Sequence, residues 1–588
     1  MKHLKNAAQG KWEYLVIIAI IALGSWQRLH VACANYALAD PLSEQYFEIG
    51  RSAAHTLRIA EGRTPTALRN ILYPSLIALA EWLWRPLIFG KLRLLLAVLS
   101  TFIVGIVWRI GRTHSRFCGL LAALLVAFDP AQIDYCRITD VYVFFSFLLA
   151  LAAWAMVRWS RKPTDRNLAW FGIAVAMSLN CRSTLSLFPF FLLGIIWTWS
   201  WASGDAAQTY WHGLKRNLWI LLAACFLPSA PWLVRNAFQF HAFIPFEKGL
   251  TAEALFSSSL GIVGSQETQV AWALSEQFNP ALAGAVGDKR EIGMRRLAID
   301  NILSDPIRYL ASSIRRLKAI LGYESRPRLH LLDGWDRVYF LVLPILVAIP
   351  ILSGNFTMSL LGFLVLYYVG IHATMPVRPA HFVPLGPLLA VLSAGALSAA
   401  TPWTKPSRRD DPLAAASRAD SKAFLILMSI PLALYAVALF LIATDLVLTE
   451  RYQFPAGGIG DNPSAVSVLA GKSALCRPEA KNISDRGTLS LLSEKPAEAI
   501  AAFRRAIQKD PACAEAYINL GVALEESGSE QDALSQYNTA QALLPRSDIF
   551  LDTVSNRRFL LLTASNRAES VGNLTTRLNA ARASRSTR

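Results

Sequence analysis

Charge is scarce in this chain. Only 17% of its 588 residues are Asp, Glu, Lys or Arg, while 54% are hydrophobic. That balance excludes a single soluble domain, and the length allows two or more units. The seven cysteines are scattered, with no C-x-x-C, and five of them lie in the apolar part, where Cys commonly serves as a small buried residue. No G-x-x-x-x-G-K, G-x-S-x-G or H-E-x-x-H occurs, so ATP-driven transport and the common hydrolase mechanisms lose support. No His/Cys/Asp spacing demands a metal, although two carboxylates from different loops could hold a divalent cation. Inverted repeats and paired broken helices, the marks of a secondary transporter, are also missing.

What the sequence does contain is apolar runs close to the length of a bilayer span, which takes roughly 20 residues. They fall at Trp12–Ala32, Leu94–Ile110, Asp140–Val157, Thr184–Trp201, Leu218–Val234, Val338–Leu352, Phe356–Gly370, Phe382–Ala400 and Phe424–Leu446, with weaker runs at Cys118–Pro130 and Leu168–Cys181. Lys2, Lys5 and Lys11 precede the first run. Its core is long and no clear A-x-A site follows, which reads as a retained span rather than a signal peptide. The formal net charge is +17. From Glu450 onward there are 17 Lys/Arg against 15 Asp/Glu, so the tail supplies +2 and the apolar part +15. A nucleic-acid-binding tail is thereby disfavoured, and contact with anionic lipid is favoured.

The basic segments "GRTHSR" (111–116), "RWSRKPTDR" (158–166) and "KPSRRDDPLAAASR" (405–418), with the N-terminus, read as cytoplasmic. Parity then puts Asp140, the loop from Arg235 to Asp336 and the tail outside. About eleven spans close this count, provided that Ile71–Phe89 does not cross. The expected organisation is a cytoplasmic N-terminus (1–11) and a membrane domain (12–448) with outer loops at 35–70, 131–140 and 236–336. A linker (449–480), a helical repeat domain (481–548) and a helical or disordered tail (549–588) follow.

The repeat is visible directly. "PAEAIAAFRRAIQKDP" (496–511) matches "SEQDALSQYNTAQALLP" (529–545) at a shift of 34 residues, with Ala499 on Ala533, Phe503 on Tyr537, Pro511 on Pro545 and Gly487 on Gly521. That period resembles tetratricopeptide repeats, whose stacked helix pairs can offer a peptide-binding groove or serve only as a cap. Cys476 and Cys513 could pair there in an oxidising compartment.

Chemistry-bearing residues cluster in the outer loops. The first loop carries Asp40, Glu44 and Glu48, followed by "LYPSLIAL"; the second carries Asp134, Arg137 and Asp140. The third ends in a basic amphipathic pair with Arg295, Arg296, Arg308, Arg315, Arg316 and Lys318 at near-helical spacing, suited to a membrane surface. These pieces are joined in order by "YCRITDVYVFF", "LNCRSTLSLFP", "PWLVRNAFQFHAFIPF", "DPIRYLASSIRRLKAILG" and "MPVRPAHFVPLGPLLA". Over residues 10–400 the chain resembles the GT-C superfamily of polyprenyl-phosphate-sugar-dependent glycosyltransferases, which includes protein O-mannosyltransferases and lipid A aminoarabinose transferases. The resemblance implies an all-α, polytopic transmembrane GT-C-type domain followed by the repeat unit. It also implies a hexosyl or pentosyl transferase of the bacterial inner membrane, working at the periplasmic face. Relatives often carry an Asp where "LSEQYF" has Leu42, so the first-loop carboxylate carries over to Asp40, with Glu44 second.

Glycosyl transfer from a lipid phosphate needs a carboxylate to take the acceptor proton, a negative environment for the anomeric centre, and cations for the departing phosphate. Asp40 and Asp140 suit the first two tasks; Arg137, Arg182, Arg235 and Arg378 suit the third. Each has a plainer alternative. Asp140 is equally placed to N-cap its helix, Arg137 to snorkel, Arg182 to pair with an inward acid, and Arg235 with Asn236 to cap a helix end. His381 beside Arg378 reads as a polar neighbour, and Glu48 and Asp134 as solvated. Two other functions compete: an O-antigen ligase or polymerase, which expects an Arg- and His-rich outer loop where this one is acidic, and a non-catalytic membrane-anchored repeat scaffold, which leaves the charges at the heads of spans without a reason. The expected partners are the lipid-linked sugar, the bilayer and a protein at the tail.

Overall fold

The computed structural model describes residues 2–33, 41–61, 64–67, 69–84, 89–203, 218–240, 243–244, 246–247, 250–259, 287–322, 356–375, 379–400, 413–451, 479–480, 483–484, 486–487, 490, 496–527 and 529–543. The chain divides into two compact units, one running to residue 462 and one beginning at residue 463.

The first unit opens with α1 (Lys2–Cys33), α2 (Pro41–Thr56) and a two-strand hairpin, β1 (Ala60–Glu61) with β2 (Thr64–Pro65). It continues through α3 (Leu72–Leu83), α4 (Phe89–Arg112), α5 (Arg116–Ala127), α6 (Pro130–Asp134), α7 (Val141–Arg161), α8 (Asp165–Cys181) and α9 (Phe188–Ser203). After these come α10 (Leu218–Phe226), α11 (Ala230–Phe240), α12 (Leu250–Ser259), α13 (Gly287–Ser304), α14 (Pro306–Gly322), α15 (Phe356–Ala373), α16 (Gly386–Ala400) and α17 (Leu413–Arg451). Among the described residues seven helices are long and apolar enough to cross a bilayer, and an eighth span results if the bent α5–α6 pair counts as one. Helix α3, with 12 residues, is too short to cross alone. The Val338–Leu352 run lies outside the described residues.

Side-chain contacts sort the helix ends into two groups. At one end Arg112 Nε meets Glu13 Oε1 at 2.8 Å, Arg161 Nη1 donates to Thr113 O at 3.1 Å, and the Ser115 and Ser398 hydroxyls lie 2.7 Å apart. Ser160 likewise reaches Thr357 at 3.0 Å. The start of α1, the end of α4, the start of α5, the end of α7, the start of α15 and the end of α16 therefore share one end, which also holds the basic segments at 111–116 and 158–166. α7 forms the centre of the bundle: nearly all of its residues are buried, from Val141 to Ser160. Its aromatic stretch packs on α4, α8 and α15 through pairs such as Phe102–Phe147, Trp159–Phe171 and Phe145–Tyr368.

The α5–α6 break is held by Arg28. Its guanidinium donates to Ala127 O and Val126 O, both at 2.7 Å, to Gly24 O at 3.0 Å and to Ser100 Oγ at 2.9 Å. A helix end exposes carbonyls and carries partial negative charge, so a buried cation there satisfies both needs. Asp129 closes the other side of the break by accepting from Ala131 N at 2.9 Å, the N-cap of α6.

At the opposite end, α14 is pinned to the last turn of α15. Arg316 Nε donates to Ala373 O at 2.7 Å and Tyr309 Oη to Thr374 O at 2.9 Å. The rest of the α13–α14 pair presents an apolar row outward, with Ile307 at 79% and Leu303 at 74% exposure and Leu310 beside them.

The second unit stacks α18 (Pro496–Lys509), α19 (Ala514–Glu526) and α20 (Glu530–Leu543). The 34-residue repeat is physical here. A Cβ on Gly487 would stand 2.7 Å from the Phe503 ring, and one on Gly521 would collide with the Tyr537 ring in the same way. Ala499, Ala533, Phe503 and Tyr537 are all fully buried. Cys513 is disulfide-bonded, while Cys476 lies outside the described residues.

Candidate functional site

The end of the bundle opposite the basic segments gathers polar side chains, most of them buried, from seven segments of the chain. Asp140 stands at the head of α7 and is 1% exposed; one carboxylate oxygen accepts from the Val141 amide, as an N-cap does. Tyr73 of α3 donates to Thr139 O at 2.8 Å and so holds the residue just before Asp140. The Tyr73 phenol lies within electrostatic reach of the Asp140 carboxylate and packs edge-on against Tyr46 of α2, with ring centroids 5.2 Å apart. Arg69 stacks over Tyr46 at 5.1 Å.

From the other side comes Arg182, the residue that ends α8. Its guanidinium lies 4.4 Å from the Tyr142 ring centroid, a cation–π contact. Among the described residues no carboxylate comes within ion-pair distance of it. Glu247 is nearby, accepting from Ser183 Oγ at 3.1 Å. The Cys181 thiol lies within electrostatic reach of Arg182, Glu247 and Asp140. Burial pushes the Tyr46 phenol above its ordinary range; Arg69 pulls it back and Glu247 pushes it further. Tyr46 is thus a protonated donor at neutral pH.

A third wall is aromatic. His372 and His381 have ring centroids 4.4 Å apart, His381 faces Tyr142 at 5.6 Å, and Tyr368 donates to His381 O at 3.0 Å. Chemically the site offers carboxylates, guanidinium groups over aromatic faces, and phenols. It can hold an anion next to a group that accepts protons.

The candidate residues read from the sequence fare differently. Asp140 and Arg182 meet in this cluster. The helix-cap reading of Asp140 is correct, and it coexists with a place in the cluster. Arg137 sits apart, bound to Asp134 at 3.0 Å one turn back in the chain. Arg235 must be reassigned. Its guanidinium donates to Asp445 Oδ2 from Nε at 2.9 Å, to Thr66 O at 2.8 Å, to Ile59 O at 2.9 Å and to Asn236 Oδ1 at 3.0 Å, and Nη2 also lies 2.9 Å from Asp445 Oδ2. Asp445 also accepts from the Ile59 amide at 3.2 Å. With all three nitrogens engaged and no exposure, Arg235 is a pin between α11, α17 and the hairpin, not a phosphate contact. Asp40 and Arg378 lie outside the described residues; Glu44 lies on α2, its side chain outside them. Among the described residues no group of three metal-ligating side chains occurs.

Glu247, Arg69 and Tyr46 escaped the sequence reading. Glu247 stands in "IPFEKG", with neither periodicity nor a motif to mark it. Asp445 did leave a signal, an acid inside the apolar run "LIATDLVL".

Residues 87–233 match the family model of dolichyl-phosphate-mannose-protein mannosyltransferase, and residues 485–548 that of the tetratricopeptide repeat. The tail is a tetratricopeptide-repeat unit. The GT-C resemblance is thus borne out over α4 to α11, which carry Asp140 and Arg182. Among solved structures, the crystal structure of ArnT from Cupriavidus metallidurans bound to undecaprenyl phosphate is similar over 93% of this chain and 84% of that one. Identity is 12% and the TM-score 0.37, too loose to carry residues across. No curated protein matches.

Proposed function

We propose that this chain is an integral-membrane glycosyltransferase that moves a sugar from a polyprenyl-phosphate carrier to a lipid, glycan or protein acceptor at the periplasmic face. The carrying observation is Arg182, a partly buried guanidinium stacked on Tyr142 with no ion-pair partner among the described residues, grouped with Asp140 at one end of the bundle. A polyprenyl carrier keeps its phosphate at the depth where spans begin and end, and these residues sit at such helix ends. The match of residues 87–233 to a mannosyltransferase model and the undecaprenyl phosphate held by the ArnT crystal structure support a lipid-linked donor.

In this reading the bond from the anomeric carbon to the phosphate oxygen breaks as the acceptor oxygen attacks the opposite face. The acceptor proton passes to a carboxylate, from Asp140 or from the first loop at Asp40, with Glu44 second. The phosphate leaves toward Arg182 and Arg378, and guanidinium groups suit it because they are planar and always charged. Residues 12–448 hold the chemistry. The linker at 449–480 carries the repeats of 481–548, which would recognise a protein partner, and 549–588 trail behind.

The test has two arms. Lipid-linked sugars and surface glycans are compared between a deletion strain and one restored with Asp140→Asn. The deletion should accumulate an unused polyprenyl-phosphate sugar. Asp140→Asn should still insert, since Asn caps helices well, yet turn over about a hundredfold more slowly. Full restoration by Asp140→Asn would reduce Asp140 to a helix cap and sink the catalytic assignment.

A further inference from the structure

Asn70 belongs to none of the roles above, yet it stands among them. It precedes α3 by two residues and lies between Arg69, which stacks on Tyr46, and Tyr73, which holds the residue before Asp140. It is 1% exposed, and among the described residues neither its Nδ2 nor its Oδ1 has a hydrogen-bond partner. Buried side-chain amides are almost always satisfied, and an exception asks for a reason. Close by, Ser75 Oγ donates to Ile71 O at 2.8 Å and Trp82 Nε1 to Ala54 O at 2.9 Å.

A carboxamide presents two donors on one atom and two acceptor lone pairs on the other. That pattern complements a pair of neighbouring hydroxyl groups, each of which gives one proton and takes one. A lone phosphate offers only acceptors and would leave Oδ1 unpaired. We propose that Asn70 is a binding residue for the hydroxyl groups of the donor sugar. This rests on the glycosyltransferase reading and adds to it a residue that reads the sugar rather than the lipid phosphate. The chemical class it takes is a polyol ring bearing at least one vicinal diol.

The assignment has an unusual signature, because an unpaired buried amide lowers stability while it waits for its ligand. Asn70→Leu is close in size and removes both polar atoms. The full chain in lipid nanodiscs is followed by thermal unfolding in three states: alone, with undecaprenyl phosphate, and with the polyprenyl-phosphate-sugar extract of the source membranes. The wild type should be stabilised by both lipids, and more by the extract. Asn70→Leu should melt no lower than wild type when alone and keep its response to undecaprenyl phosphate. It should lose the added response to the extract, with turnover of the extract reduced about tenfold to a hundredfold. Asn70→Gln, with the same amide on a longer arm, should recover part of that loss. If Asn70→Leu melts several degrees lower in every state, the amide is structural and the proposal fails. It also fails if the response to the extract and the turnover are both unchanged. A wild-type protein that responds to neither lipid overturns the glycosyltransferase reading and this proposal together; one that responds to both, with Asn70→Leu doing likewise, overturns this proposal alone.

Discussion

Replacing Asp445 with Ala should cost the membrane unit much of its stability. The carboxylate meets Arg235 twice at 2.9 Å, accepts from the Ile59 amide at 3.2 Å, and faces Arg58 at 3.6 Å. Both Arg235 and Asp445 are fully buried. Removing one partner of a buried pair strands the other charge, and such losses run to about 3–5 kcal/mol. At 1.36 kcal/mol per tenfold, the folded-to-unfolded ratio drops by roughly two to nearly four orders of magnitude. The double variant Arg235→Met with Asp445→Leu removes both charges and should recover much of this, as apolar replacements of buried pairs do. Recovery should stop short of wild type, because Thr66 O loses the donor it had from Arg235 and Ile59 O keeps only the Thr66 amide at 3.1 Å, the lost contacts together being worth about 1–3 kcal/mol. Thermal unfolding in detergent, with trypsin cleavage at Arg58 as a local probe, measures both changes. If Asp445→Ala melts with wild type and the double variant is no different, the pin carries no stability. Arg235 would then return to the pool of donor-phosphate contacts.

Four further outcomes are expected. Arg28→Leu strands the carbonyl of Ala127 at the helix break, at about 1–3 kcal/mol, and leaves Val126 O with only the Asp129 amide at 3.2 Å; monodisperse protein on size exclusion should fall sharply, and normal yield would refute the clasp. Gly521→Leu drives a side chain into the Tyr537 ring and should unfold the repeat unit, read as protease sensitivity after residue 480, while membrane insertion stays normal; a protease-resistant tail would refute the packing. A reporter that works only in the cytoplasm, fused near Gly460, should be silent if the tail is periplasmic, and a strong signal would reverse the topology. A nitroxide at Ile307→Cys, with Cys33→Ser to remove the exposed native thiol, should meet oxygen more readily than a water-soluble nickel chelate; the reverse order would place the α14 face in water.

Features written locally were legible in the sequence. An acid before an apolar run announces an N-cap, and Asp140 is one. A 34-residue shift that aligns Gly487 with Gly521 and Phe503 with Tyr537 announces the repeat, because the same glycine must clear the same ring in each copy. Pairings across the chain were not legible. Arg235 and Asp445 are 210 residues apart, Ser183 and Glu247 64 apart, and nothing local to either member names the other. A guanidinium looks the same in sequence whether it awaits a phosphate, as Arg182 is proposed to, or has all three nitrogens engaged, as Arg235 has.

The hairpin near residue 60 has a consequence for biosynthesis. Its Ile59 amide waits for a carboxylate that lies 386 residues further along the chain. At about 5–20 residues per second of synthesis, the first loop and Arg235 emerge long before Asp445, by roughly 20–80 s in the case of the loop. Through that interval Arg58 and Arg235 lack the carboxylate they meet in the folded unit, and only α17 delivers it. α17 therefore works as a latch: a nascent chain that stops short of it leaves the hairpin and Arg235 unclosed.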